Sequence, residues 1–160
     1  MNNERYQHIT SSPDKSEFKF ISEGKNGAIK KLIQYKKVHA ELPDIYNLCF
    51  GNLSENGKSV DDSVRSNNGD MMKILTTGAF TVNEFISCYP DKIIYIRGSD
   101  PARTRLYQIA INKYFDEIIK NYELYGHVFK PATETSEEED YDEPFQKNKN
   151  YYGFLVIRKI

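Results

Sequence analysis

Short runs in which apolar and polar residues alternate fill the first third of the chain, and longer three- and four-residue periodicities follow. Phe18-Lys19-Phe20-Ile21 reads as a strand, Gly24-Lys25-Asn26-Gly27 as a hairpin turn, and Ile29 to Tyr35 as the return strand. In that return strand Ile29, Ile33 and Tyr35 share a face. Ile45 to Phe50 gives a third strand, and Ser59 to Arg65 a short fourth. From Asp70 to Tyr89 the period changes to that of a helix, with Met71, Leu75, Gly78, Val82, Phe85 and Tyr89 on one face and Asn67, Asn68 or Asp70 as its cap. Gly78 in mid-helix is expected to mark close approach to the sheet. Ile93 to Ile96 is an apolar strand. Asp100 with Pro101 starts a second helix that runs to Tyr122, and strands follow at Leu124–Phe129 and Tyr151–Ile157.

The order is therefore β-β-β-(β)-α-β-α-β-β. Hairpins first and helices later predict an α+β fold with a mostly antiparallel sheet and two main helices. Leu75, Val82, Ile94, Ile96, Leu106, Ala110, Leu155 and Ile157 are the expected core. Two segments stand outside this pattern. Residues 1–15 are polar, and residues 131–144 read as an acidic mobile loop, because seven of the ten positions from Glu134 to Glu143 are acidic.

The length of 160 residues fits one domain that buries its own core. Lys plus Arg is 22 and Asp plus Glu 23, a balance that opposes non-specific coating of nucleic acid. There is no apolar h-region at the N-terminus and no apolar run near the ~18 residues of a membrane span, so the expectation is a cytoplasmic protein without membrane contact. Cys49 and Cys88 sit in apolar runs and are expected as core thiols in a reducing compartment. His8, His39 and His127 have no metal-ligand spacing to a cysteine or to each other, and are read as ordinary surface or core residues. Asp61, Asp62 and Asp70 could hold Mg²⁺, but without a spaced motif a solvated loop is the better reading. Ser66 and Ser99 have a nucleophile's hydroxyl, yet neither has a histidine placed near it in the chain. The sequence identifies neither a catalytic residue nor a cofactor.

Candidate chemistry lies in two loops that each leave a strand and open a helix, Arg65-Ser66-Asn67-Asn68-Gly69-Asp70 and Gly98-Ser99-Asp100-Pro101-Ala102-Arg103. A helix start offers free N–H groups and the positive dipole end to an anion. On a helical wheel Arg103 falls on the apolar face of Leu106, Tyr107, Ala110, Ile111, Tyr114 and Ile118, and Arg105 on the opposite, solvent face. Arg103 then either grips a phosphate or carboxylate or braces Asp70, Asp61 or Asp62. The candidate ligand-binding set is Ser66, Asn67, Asn68, Gly69, Asp70, Gly98, Ser99, Arg103, Arg105 and Tyr107.

Tyr46-Asn47-Leu48-Cys49-Phe50-Gly51, Ser66-Asn67-Asn68-Gly69-Asp70 with Lys73-Ile74-Leu75, Gly98-Ser99 with Ala102-Arg103-Thr104-Arg105-Leu106-Tyr107, and the ending Phe154 to Lys159 together resemble an uncharacterised bacterial domain-of-unknown-function family of about this length. That resemblance covers nearly the whole chain except the acidic loop and implies no activity. The element order is also similar to the GCN5-related N-acyltransferase fold. Its pyrophosphate loop has Gln or Arg, two residues, Gly, one residue, then Gly or Ala. Here three residues separate Arg65 from Gly69, and Met71 stands at the small position. The readings that follow are binding of a phosphate-bearing ligand (nucleotide, coenzyme A or RNA), a small protein partner in a toxin–antitoxin or phage-defence pair, and a divergent N-acyltransferase.

Overall fold

The computed structural model describes residues 4–61 and 68–160. By its internal packing the chain divides into two compact units, Met1–Lys92 and Ile93–Ile160. Each is α+β, and the strand pairs within each are antiparallel.

In the first unit β1 (Thr10–Ser11), β2 (Glu17–Gly24), β3 (Gly27–His39) and β4 (Leu42–Leu53) lie in that order, with β5 (Val60–Asp61) against β4. The β2–β3 turn is the expected one, with Gly24 paired to Gly27. The middle of β3, Lys31 to Tyr35, is buried on both faces. Helix α1 (Met71–Cys88) covers one of them, and Phe85 stacks on Tyr35 with ring centroids 4.4 Å apart. The buried stripe of α1 is Ile74, Thr76, Thr77, Thr81, Val82, Phe85 and Ile86, so Val82 and Phe85 are inward as expected while Leu75 is half-buried and Met71 exposed. Three threonines are tolerated inside because each hydroxyl returns to a carbonyl of its own helix: Thr76 to Met72 (2.8 Å), Thr77 to Lys73 (2.7 Å) and Thr81 to Gly78 (2.8 Å). Gly78 does not mark a close approach, since a Cβ there would meet nothing within 4 Å. Cys49 is half-buried and Cys88 exposed, so the core-thiol expectation fails at Cys88.

In the second unit the strand order is β6 (Ile93–Ile96), β9 (Gly153–Arg158), β7 (Tyr122–Lys130) and β8 (Glu139–Pro144). The expected second helix is two, α2 (Pro101–Lys113) and α3 (Phe115–Asn121), which meet at Tyr114. Phe145 links Phe115 of α3 to Phe154 of β9, at 5.8 and 6.0 Å. Ile94, Leu124, Val128, Phe154 and Val156 are buried. Leu155 and Ile157, expected in the core, are half-buried on the other face, because a strand turns alternate residues to opposite sides. Ile96, Leu106 and Ala110 are also half-buried. The expected acidic loop is a strand in its second half. Glu139 to Pro144 pairs with Lys130 to Tyr125 through backbone hydrogen bonds that its exposed carboxylates do not disturb. Among the described residues no helix is long and apolar enough to cross a membrane, and no group of His, Cys, Asp and Glu is placed to hold a metal ion.

Candidate functional site

The two helix-opening loops differ in what their side chains do. Ser66 and Asn67 of the first lie outside the described residues, as do Asp62 and Arg65. Asn68 is buried beneath the β2–β3 hairpin. Its carbonyl accepts from the Asn26 N–H (2.7 Å), and its amide donates to Ser22 Oγ (3.0 Å) and the Gly27 carbonyl (2.9 Å). Gly69 has φ +78°, which a side chain would strain. Asp70 holds the N-cap position of α1 without a side-chain capping bond, because its carboxylate accepts from the hydroxyls of Tyr6 and Ser22 (2.6 Å for Ser22). Burial and the bond to Asp70 hold the Tyr6 phenol above its ordinary range. Asn68 and Asp70 therefore spend their polar atoms on the hairpin and the N-terminal segment.

The second loop opens α2 as its sequence predicts. Asp100 Oδ1 accepts from the Arg103 N–H at 2.8 Å, with Pro101 in the first helical position. Gly98 is needed for packing, since a Cβ there would crowd Arg103 Cβ and the Thr104 nitrogen. Its N–H donates to Thr104 Oγ1 at 3.0 Å. Arg103 is half-buried and donates to Ser99 Oγ at 2.6 Å. Tyr107 is half-buried on the same helix. The buried side chains of α2 are Thr104, Gln108 and Ile111, so the inward face is turned from the one the wheel gave. Thr104 and Gln108 are inside because they satisfy loop backbone: Thr104 at Gly98 and Asp100, Gln108 at the Lys149 carbonyl.

Arg105, expected on the solvent face and in the candidate ligand set, is exposed and stands at the rim of a cleft of about 240 Å³. Its wall is made by Asp100, Pro101, Thr104, Arg105 and Gln108 of the α2 start, by Arg97 at the end of β6, and by Asn150, Tyr151 and Tyr152. Arg105 donates to Asn150 Oδ1 at 2.8 Å. The Arg97 guanidinium lies over the Tyr152 ring, 3.9 Å from its centroid. Among the described residues neither arginine forms an ion pair with a carboxylate. The Asn150–Tyr152 wall is braced from behind. Glu143 takes Lys149 at 2.6 Å and the Tyr151 hydroxyl at 3.0 Å, and the Lys149 bond is the main cause that holds the Glu143 carboxyl below its ordinary range.

A second constellation sits on the strands. His127 of β7 meets the Tyr95 hydroxyl of β6 through Nδ1 (2.7 Å) and Asp140 of β8 through Nε2 (2.7 Å). Tyr152 packs edge-on against His127, with centroids 5.6 Å apart. Burial pushes the Tyr95 phenol up to about 12. Sequence reasoning missed Arg97, Gln108 and Asn150 as well as this set, although Gly153 within an apolar strand was a readable sign of close approach.

The class of protein is thus an α+β protein of mostly antiparallel strands, with three helices among the described residues and a cleft that opens at a helix start. The model of a family of unknown function (DUF6934) matches residues 2–159, and the chain belongs to that family. Neither the curated proteins nor the solved structures contain a significant match to it.

Proposed function

We infer that the Ile93–Ile160 unit binds a phosphate-bearing ligand in the cleft at the start of α2. The observation that carries this reading is that Arg97 and Arg105 both line one concavity and have only a ring and a neutral amide as their described partners there. Two exposed guanidiniums beside a helix N-terminus suit a multiply charged oxyanion, because each can add charge-assisted hydrogen bonds to it and the two charges act together. A volume of about 240 Å³ matches a phosphate with a compact organic group better than the whole of coenzyme A. Tyr152 already carries Arg97 on its ring, so the ligand is recognised by charge more than by base stacking. The protein-partner reading is weaker. It would use β8, which ends the strand order, yet the exposed charges of Glu139, Asp140 and Asp142 oppose strand addition.

The test is titration with inorganic phosphate and nucleoside monophosphates, followed by ³¹P resonance and melting temperature. Ligand at ten times its Kd should add about 1.4 kcal/mol of stability. Arg105→Met should leave unliganded stability within about 0.5 kcal/mol, as an exposed charge does, and weaken binding at least about 10-fold. Absence of any shift in the wild type, or equal shifts in the wild type and both Arg97→Met and Arg105→Met, would remove the cleft from consideration.

A further inference from the structure

The cleft at the start of α2 contains an amide that is shut off from bulk solvent. Gln108 is 1 % exposed, yet it forms part of the cleft wall. Its partner fixes which way the amide points. The Lys149 carbonyl only accepts, so Gln108 Nε2 faces it and Oε1 is turned away. Among the described residues Oε1 accepts no hydrogen bond. The fully enclosed side-chain atoms without a partner are Arg5 Nε, Gln34 Oε1 and Asn112 Oδ1 among the described residues, so Gln108 Oε1 keeps an opening, and it opens on the cleft. Asn150 at the rim is oriented by the same logic. The Arg105 guanidinium only donates, so Asn150 Oδ1 faces it at 2.8 Å and Nδ2 is turned away. Nδ2 donates to no described residue.

A brace between α2 and the chain before β9 is the plain reading of Gln108, with water on Oε1. Bracing uses only the donor half of the amide, and a buried acceptor left over costs free energy unless something meets it. Two observations go beyond the brace. The leftover acceptor of Gln108 and the leftover donor of Asn150 belong to the same concavity as Arg97 and Arg105. Asp100 stands in that wall too, its Oδ1 accepting from the Arg103 N–H, so the cleft holds a negative charge beside its two positive ones. Beyond one phosphate, the remaining space therefore suits an uncharged group that both donates and accepts. A hydroxyl does both. An ammonium only donates and is repelled by the arginines, and a second phosphate is repelled by Asp100.

We propose that the cleft takes the monophosphate of a small polyol or sugar, with one ligand hydroxyl donating to Gln108 Oε1 and another accepting from Asn150 Nδ2; this rests on the cleft reading above. Arg97 and Arg105 hold the phosphate and supply most of the affinity. Gln108 supplies the selectivity. An alkyl phosphate of the same length displaces water from the buried acceptor and gives nothing back, so it is penalised beyond the loss of one bond. Asn150 has the smaller share, because it is exposed and water replaces a missing partner there. A nucleobase is the poorer occupant. The Tyr152 ring is already held among Arg97, His127 and Phe129, so it offers little free face for stacking.

The test is calorimetric titration of the full chain with inorganic phosphate, n-propyl phosphate, glycerol phosphate esterified at a terminal carbon, ribose phosphate and adenosine monophosphate. Propyl and glycerol phosphate share a carbon chain and differ only in hydroxyls. Glycerol phosphate, ribose phosphate or both should bind at least about 10-fold tighter than n-propyl phosphate. In Gln108→Leu that ratio should shrink to about 2-fold or less, whatever happens to the absolute affinities, since a displaced wall weakens all members of the series alike. The wild-type ratio is a test in itself and needs no variant to fold. Propyl phosphate binding as tightly as both hydroxylated esters, or adenosine monophosphate binding tighter than either, overturns the polyol assignment and leaves the cleft reading standing. A ratio that survives in folded Gln108→Leu also overturns it, because Oε1 is then not what reads the hydroxyl. Binding of no member of the series to the wild type overturns both readings.

Discussion

The starts of α1 and α2 look alike in sequence, each a strand followed by a loop with Gly, Asp and amide or hydroxyl side chains. Among the described residues the two starts use their polar side chains differently. At α1, Asn68 and Asp70 turn their polar atoms onto the hairpin and Tyr6. At α2, Asp100 caps its own helix, and Arg105 with Arg97 faces a cleft. Residue types at a helix start therefore announce hydrogen-bonding capacity, and the partners decide whether any capacity is left for a ligand.

Removing the inward hydrogen bonds of α1 gives the largest expected effect. Asn68→Ala removes the side-chain partner of the Asn26 N–H and the Gly27 carbonyl, on an exposed hairpin turn, and of the buried Ser22 hydroxyl. An unmet group costs about 1–3 kcal/mol where water cannot reach it and less on an exposed turn, so a loss of about 2 kcal/mol is expected in denaturant unfolding. Phosphate binding at the α2 cleft should be unchanged in the variant that remains folded. A loss under about 0.5 kcal/mol would mean that Asn68 does not tie the start of α1 to the β2–β3 hairpin.

Gln108→Leu is the matching change at α2. Gln108 is fully buried and donates to the Lys149 carbonyl, which fixes the chain just before the Asn150–Tyr152 wall. Leucine fills much of the volume but strands that carbonyl, at a cost of about 1–2 kcal/mol. Phosphate affinity should fall with it although both arginines remain. Unchanged affinity would show that the wall is set by the Glu143–Lys149–Tyr151 bonds alone.

These polar interiors mark where the sequence was legible and where it was not. Strands with apolar alternation and the helix start at Asp100-Pro101 were readable, because burial and capping leave local patterns. The inward face of α2 was not, since hydropathy cannot know that Thr104 and Gln108 have loop backbone to satisfy. β8 was hidden by its charge: Glu139 to Glu143 is strand because β7 supplies backbone partners, not because its side chains seek a core. Of the candidate site, Gly98, Ser99 and Arg103 were placed beside one another, Arg105 was given to solvent, and His127 was passed over because its partners lie on strands distant in sequence.

Gly78→Ala sharpens the comparison from the other side. If α1 is held at its start by Asn68 and Asp70 and not by close approach in its middle, a methyl at position 78 meets open space and only helix propensity changes. The variant should be more stable by about 0.5–1 kcal/mol. A loss of stability would show that α1 is pressed against something at Gly78 after all.

The smallest expected effect is a pH dependence of the far wall of the cleft. The bond from Lys149, and with it the Tyr151 hydroxyl, holds the folded-state carboxyl of Glu143 below its unfolded value of 4.5. A depressed carboxyl contributes stability that is present above the unfolded value and is lost as pH falls through the folded one. Melting temperature of the wild type should therefore decline below about pH 4.5 more steeply than that of Glu143→Gln, and the two curves should run parallel above it. Because both partners are solvent-reached, the gap should be small and should shrink in high salt. Phosphate affinity should decline in the same acid range as the wall loosens, and in Glu143→Gln it should already be lowered at neutral pH. Parallel melting curves throughout would assign the Asn150–Tyr152 wall to Gln108 and the Phe145 cluster instead.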